Sequence, residues 1–105
     1  MNTQFKKGVL ELCALSSLLQ GDRYGYELAE LLGRQMSVAE GTVYPMLKRL
    51  QCEGYFESYL RESPSGPARK YYRITLKGRE RQELLKKQWQ EFACQVNDFL
   101  ESEAL

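Results

Sequence analysis

The chain of 105 residues contains no histidine. That absence removes the commonest general base and the commonest metal ligand together, and no nucleophile-base pair or phosphate-binding loop can be assembled from the spacing of what remains. The sequence therefore reads as a non-enzyme, with no catalytic residues, metal or cofactor. Cysteine is scarce: Cys13, Cys52 and Cys94 are odd in number, widely separated, and each lies inside a helical pattern. They offer neither a disulfide framework nor a zinc spacing, which fits a reduced, cytoplasmic compartment. No apolar run reaches membrane-spanning length, and Met1 to Gly8 lacks the layout of a secretory signal, so nothing points to export or insertion. Net charge is nearly missing too, at +1, which argues against a bulk polyelectrolyte binder.

What is present is 43% hydrophobic residues, enough for one packed core and, in so short a chain, too little for two ordinary domains. The small net charge hides a division. Between Gly54 and Glu80, Arg61, Arg69, Lys70, Arg73, Lys77 and Arg79 outnumber Glu57, Glu62 and Glu80. From Arg81 to Leu105 the acids Glu83, Glu91, Asp98, Glu101 and Glu103 outnumber Arg81, Lys86 and Lys87. A basic surface built on the middle and an acidic C-terminal segment imply that one face alone meets a polyanion.

Three helices are expected first. Lys7 to Gln20 is apolar on more than one side, as a buried helix is, and Gly21 stops it. Tyr24 to Leu32 carries Leu28, Leu31 and Leu32 on one stripe, with Asp22 placed to cap it and Gly33 beyond its end. Ser37 and Glu40 form an S-x-x-E capping box that opens the third. Its stripe is Val43, Met46, Leu47 and Leu50, and it ends near Glu53-Gly54. At about 100° per residue, Gly41, Tyr44, Pro45, Lys48 and Cys52 then point away from the core, with Thr42 and Arg49 at the border. Pro45 lacks the donor that would bond the Gly41 carbonyl; a bend near Gly41 or a start at Thr42 would relieve it. On a purely structural reading Gly41 and Pro45 shape the helix start and Tyr44 is half-buried. On a functional one Gly41 lets the backbone approach a phosphate while Thr42, Tyr44 and Lys48 reach a DNA groove.

Two strands follow, Tyr55 to Arg61 and Arg69 to Thr75, with Phe56, Tyr72 and Ile74 facing the core. Ser63-Pro64-Ser65-Gly66-Pro67 joins them through a turn expected to exceed a tight two-residue hairpin and to project as a stiff wing. No acid occurs from Pro64 to Arg79, so the wing suits a phosphate backbone; charge protecting a strand edge is the other explanation. The last helix is expected to open at Thr75 or Leu76 and run to Leu105. Leu85, Trp89, Phe92, Val96 and Phe99 step along it by four, three, four and three, a heptad seam. One subunit cannot hide both the seam and a small three-helix core, so a symmetric homodimer is expected; folding back onto the first helix is the alternative. Trp89, with Phe92 beside it, can line a pocket for a small hydrophobic effector between subunits.

The architecture so read is mainly α with a small β-hairpin: a winged helix-turn-helix over residues 1–75 and a C-terminal dimerisation helix over 76–105, in one structural unit. Lys7-Gly8-Val9-Leu10-Glu11-Leu12, Asp22-Arg23-Tyr24-Gly25-Tyr26-Glu27-Leu28, Glu40-Gly41-Thr42-Val43-Tyr44-Pro45-Met46-Leu47-Lys48-Arg49-Leu50 and Gly66-Pro67-Ala68-Arg69-Lys70-Tyr71-Tyr72-Arg73-Ile74-Thr75, with Gly78, occur in that order. Together they resemble the signatures of the PadR-like transcriptional regulators, in the subgroup with a single C-terminal helix. The resemblance implies a winged-helix repressor, dimeric through that helix, that binds a palindromic operator and releases it on a signal. It assigns Gly41, Thr42, Tyr44 and Lys48 to the groove-facing motif and Gly66, Arg69 and Lys70 to the wing, and it places Trp89 in the helix where drug-sensing members hold flat hydrophobic compounds; Ser37 at the expected start of the third helix and Arg49 at its border complete the expected DNA-binding set. A protein-interaction module without specific DNA binding is the rival from another class.

Overall fold

A short linker anchored by one valine decides how the second and third helices meet. The computed structural model describes residues 3–103, in the order α1 (Thr3–Leu19), β1 (Arg23–Tyr24), α2 (Gly25–Met36), α3 (Glu40–Cys52), β2 (Phe56–Ser63), β3 (Gly66–Ile74) and α4 (Leu76–Glu103). The end of the last helix expected at Leu105 lies outside the described residues. Helix α2 runs past Gly33 to Met36, and Ser37 closes it in the left-handed region at φ 53°. The Ser37 N–H donates to the Arg34 carbonyl and the Val38 N–H to that of Gly33, at 2.9 Å. The expected capping box therefore does not form. Ala39 stands at the N-cap of α3 with no side-chain bond, and its carbonyl accepts from Thr42 and Val43. The reason is energetic: Val38 is buried in the core, worth about 1.5–3 kcal/mol, whereas a side-chain cap is worth about 1 kcal/mol.

The sheet is antiparallel in the order β1-β3-β2. Its third strand corrects the expected lone hairpin: Arg23 and Tyr24, read as a cap region and helix start, pair instead with Tyr72 and Tyr71. Asp22 does not cap α2; its carboxylate accepts the Tyr59 hydroxyl at 2.5 Å. The wing turn is also tighter than expected. Ser63 pairs with Gly66, leaving Pro64-Ser65 as a two-residue turn, and the register slips between Arg61 and Ser63. That irregularity lies opposite Pro67, whose missing N–H a regular ladder would not tolerate.

The core joins Leu10, Ala14, Leu15 and Leu18 of α1 to Leu28 and Leu32 of α2, to Val43, Leu47 and Leu50 of α3, and to Phe56, Tyr72 and Ile74 of the sheet. The outward and inward faces of α3 thus fall as its period required. Phe56 and Tyr72 pack at 4.7 Å between ring centroids, within the range of favourable aromatic pairs. Thr75 caps α4, its hydroxyl accepting the Gly78 N–H at 3.1 Å and donating to the Gly54 carbonyl at 2.6 Å. Gly78 has no freedom to be anything else, because a Cβ there would overlap the Tyr55 carbonyl oxygen. Helix α4 therefore leaves the sheet at a fixed angle. Arg81 and Gln82 tie its first turns to Glu11 and Ser16 of α1, at 2.9 and 3.1 Å. At about 1.5 Å per residue its 28 residues outrun the core and give the molecule its 60 Å long axis.

Candidate nucleic-acid interface

Spacing alone places Gly41, Tyr44 and Lys48 in one line along the outer face of α3. Across from them, β3 carries Lys70 two residues before it enters the core at Tyr72, on the same side of the sheet. Tyr44, Lys48, Gln51, Cys52, Lys70 and Tyr72 line one shallow concavity of about 510 Å³, with no carboxylate in its wall. Partial burial, and then the charge of Glu40, push the Tyr44 phenol above its ordinary pKa, so near neutral pH it both donates and accepts hydrogen bonds. Tyr26, in the first turn of α2, is 54% exposed beside this face. Sequence periodicity gave no reason to single it out. A Cβ at Gly41 or at Gly66, on the wing tip, would meet nothing within 4 Å, so no packing inside the fold requires glycine at either position.

Of the residues assigned to DNA contact, only Tyr44, Lys48 and Lys70 line that concavity. Thr42 faces its other flank, where it joins Lys7, Pro45, Met46 and Arg49. Arg49 is engaged by Glu11 at 3.5 Å and by Glu53 at 3.2 Å. Ser37 sits at the end of α2, its carbonyl accepting the Lys6 ammonium at 3.2 Å, in a hollow that it shares with Trp89 rather than Tyr44. Arg69 lies on the opposite face of the sheet, its guanidinium 4.9 Å from the Tyr24 ring centroid.

That opposite face was not legible in the sequence. Register puts Tyr24, Tyr71 and Tyr59 side by side across β1, β3 and β2, stacked at 5.9 and 6.0 Å between centroids. An arginine covers each ring: Arg69 on Tyr24, Arg61 on Tyr71 and Arg73 on Tyr59, all at 4.9 Å. Arg73 is also paired with Glu57 at 2.8 Å, and that hydrogen bond holds its guanidinium above the ordinary pKa. Only the cross-strand pairing of residues up to 47 positions apart, as Tyr24 and Tyr71 are, assembles this surface.

Along α4 the seam is bare. Leu85 packs on the core, but Trp89, Phe92, Val96 and Phe99 are exposed, Phe92 by 54% and Phe99 by 66%. Leu85, Trp89 and Phe92 meet Gly8, Val9 and Leu12 of α1 around a half-open hollow of about 260 Å³. Trp89 also walls the neighbouring hollow with Cys13 and Met36. Helix α4 thus meets α1 from Arg81 to Phe92, and its seam beyond Phe92 lines neither hollow. Burial pushes the Cys13 thiol up, and all three cysteines are free. Among the described residues no three His, Cys, Asp or Glu side chains converge as a metal site would need, and no helix is long and apolar enough to cross a membrane.

Comparison with known proteins agrees with this geometry. The model of the transcriptional regulator PadR-like family matches residues 14–84. The crystal structure of a PadR-like transcriptional regulator from Bacillus cereus is similar over 92% of this chain and 96% of its own, with 44% identity and a TM-score of 0.82. That of a PadR family transcription regulator from Clostridium difficile is similar over 88% and 98%, with 35% identity and a TM-score of 0.75. An uncharacterised protein of Lysinibacillus sphaericus is 32% identical across 90% of this chain and 91% of its own. The four helices, the three-stranded winged sheet and the signatures spread from α1 to α4 have one common explanation: the chain belongs to the PadR-like family of transcriptional regulators.

Proposed function

We propose that this regulator is a cytoplasmic repressor that binds a palindromic operator as a homodimer and releases it when a small hydrophobic effector enters beside Trp89 and Phe92. The observation that carries the DNA reading is the concavity in which Tyr44 and Lys48 of α3 face Lys70 of β3 with no carboxylate among them. Tyr44 reads base edges, Thr42 and Gly41 let α3 approach closely, and Lys48 and Lys70 neutralise backbone phosphates. Gly66 does at the wing tip what Gly41 does on the helix. Open space beside both glycines supports this, because a glycine that the fold does not require is free to serve a partner.

The dimer follows from the seam. Two copies of α4, packed through Trp89, Phe92, Val96 and Phe99, bury these exposed apolar side chains and set two α3 helices about 34 Å apart, one turn of DNA. An effector between α1 and α4 alters that spacing. A coupling of about 1–3 kcal/mol lowers operator affinity about 5- to 150-fold. The test is binding of purified protein to the DNA upstream of its own coding sequence, at two salt concentrations, against unrelated duplex. Competitor-resistant binding is expected; binding no better than to the competitor at every upstream and random-pool sequence tried would favour a protein-interaction module.

A further inference from the structure

Among the described residues, both ion pairs that join one helix to another end on the same carboxylate. One oxygen of Glu11, on α1, accepts from Nε of Arg81 on α4 at 2.9 Å, and the other lies 3.5 Å from a terminal guanidinium nitrogen of Arg49 on α3. The remaining pairs stay local, Arg49 with Glu53 one turn on and Arg73 with Glu57 across the wing. The Glu11 side chain is 12% exposed, so water competes little for it, and its hydrogen bond holds the Arg81 guanidinium above the ordinary pKa. Helices α3 and α4 pack on α1 rather than on one another. A direct link between them is at one end: the Lys77 ammonium donates to the Glu53 carbonyl at the C-cap of α3, and the Thr75 hydroxyl to the Gly54 carbonyl, both at 2.6 Å.

A helix pinned at one end swings about the pin unless something holds it further along. For α3 the pin is Glu53-Gly54, and the hold is Arg49, one turn in. At 1.5 Å per residue Gly41 lies about 18 Å from the pin, so a swing of about 10° carries the groove-facing end of α3 by about 3 Å. Apolar packing is non-directional, whereas a guanidinium on a carboxylate fixes direction as well as distance. We propose that Glu11 is a positioning residue for operator binding: clamped between Arg81 and Arg49, it fixes the direction of α3 relative to the dimerisation helix, and with it the half-site spacing that the dimer accepts. The inference rests on the dimeric DNA-binding reading above and names the residue that sets its geometry. The clamp borders the hollow between α1 and α4, since Gly8 and Leu12 stand within a turn of Glu11 and Leu85 one turn beyond Arg81.

The experiment takes the duplex that the wild-type protein enriches from a random-sequence pool. It is compared with versions whose half-sites stand one or two base pairs closer or further apart, and with a duplex holding one half-site. Affinities are measured by fluorescence anisotropy for the wild type, Glu11→Gln, Arg81→Gln and the double variant, with a circular dichroism melt of each. A step of two base pairs turns one half-site by about 70° relative to the other, and the wild type should lose about 30-fold or more in affinity. E11Q, in which Arg49 keeps Glu53, should bind the single half-site as the wild type does and narrow that spacing penalty about tenfold, a coupling of the size found within one salt-bridge network. R81Q should repeat E11Q, and the double variant should be no worse than either, because all three break one clamp. A merely structural role would instead weaken binding to every duplex in step with the melting temperature and leave the spacing preference where it was. Should E11Q fail to fold, R81Q decides alone. A spacing preference unchanged in these variants overturns the inference, as does a wild type indifferent to spacing. Enrichment of no duplex at all would sink the DNA-binding reading and this inference together, whereas a spacing-selective wild type with equally selective variants sinks this inference alone.

Discussion

The wing and the C-terminal helix both leave the core, and they treat their aromatic side chains in opposite ways. On the wing, Tyr24, Tyr71 and Tyr59 stack on one another and are roofed by arginines. On α4, Trp89, Phe92 and Phe99 stand open. The first surface is complete within one chain and presents cations to its surroundings, as a surface for a polyanion should. The second is incomplete, and apolar area of that kind is stabilised by about 25 cal/mol for every Å² that a matching surface covers. In the proposed function, the two aromatic environments serve two kinds of partner, nucleic acid and a second copy. Glu11 links α4 to α3 rather than to the wing: it accepts from Arg81 at 2.9 Å and from Arg49 at 3.5 Å.

The comparison breaks most completely at Phe92. Phe92→Glu is expected to leave the wing intact and yield monomers, and losing the linked second half-site should cost about 100-fold or more in operator affinity; analytical ultracentrifugation reads the mass, and a variant that stays dimeric refutes the seam. Phe56→Ala strikes the core from which both regions spring, and should lower unfolding free energy by about 3–5 kcal/mol in urea titration. A loss below 1 kcal/mol would mean that the Phe56–Tyr72 contact is not central. Tyr44→Ala tests base reading, with an expected loss of about 1–3 kcal/mol on operator and much less on random DNA. Equal losses on both would make Tyr44 a packing residue. Lys70→Ala should have the smallest effect, weakening binding to every duplex alike and making the slope of log K against log salt shallower by about one unit.

How far the sequence discloses these regions depends on whether the determining contacts are local. The stripe of α3, the start of α4 at Thr75 or Leu76 and the heptad spacing on α4 each follow from residues within a turn or two, and all were legible. The capping box was legible too but lost to Val38, because a local cap is weaker than the burial of the side chain next to it. Strand β1 has two residues, too few to show a period, and its place is set by β3 nearly fifty positions later. The same distance hides the tyrosine row. Lys48 and Arg49 look alike in sequence as cations on α3, yet Arg49 is met by Glu11 from α1, 38 positions before it, while Lys48 faces the wing. Helix α3 was therefore visible as a helix, and which of its cations are held by carboxylates was not.

The most direct test of the central claim, that the bare seam of α4 sets two recognition helices on one duplex, is hydroxyl-radical footprinting of a selected operator together with the protein-to-duplex ratio from ultracentrifugation. The account predicts two chains per duplex and two protected half-sites centred about 10 bp apart, or a multiple of it, related by a two-fold axis. One chain per duplex, or a single protected segment without that symmetry, would contradict it.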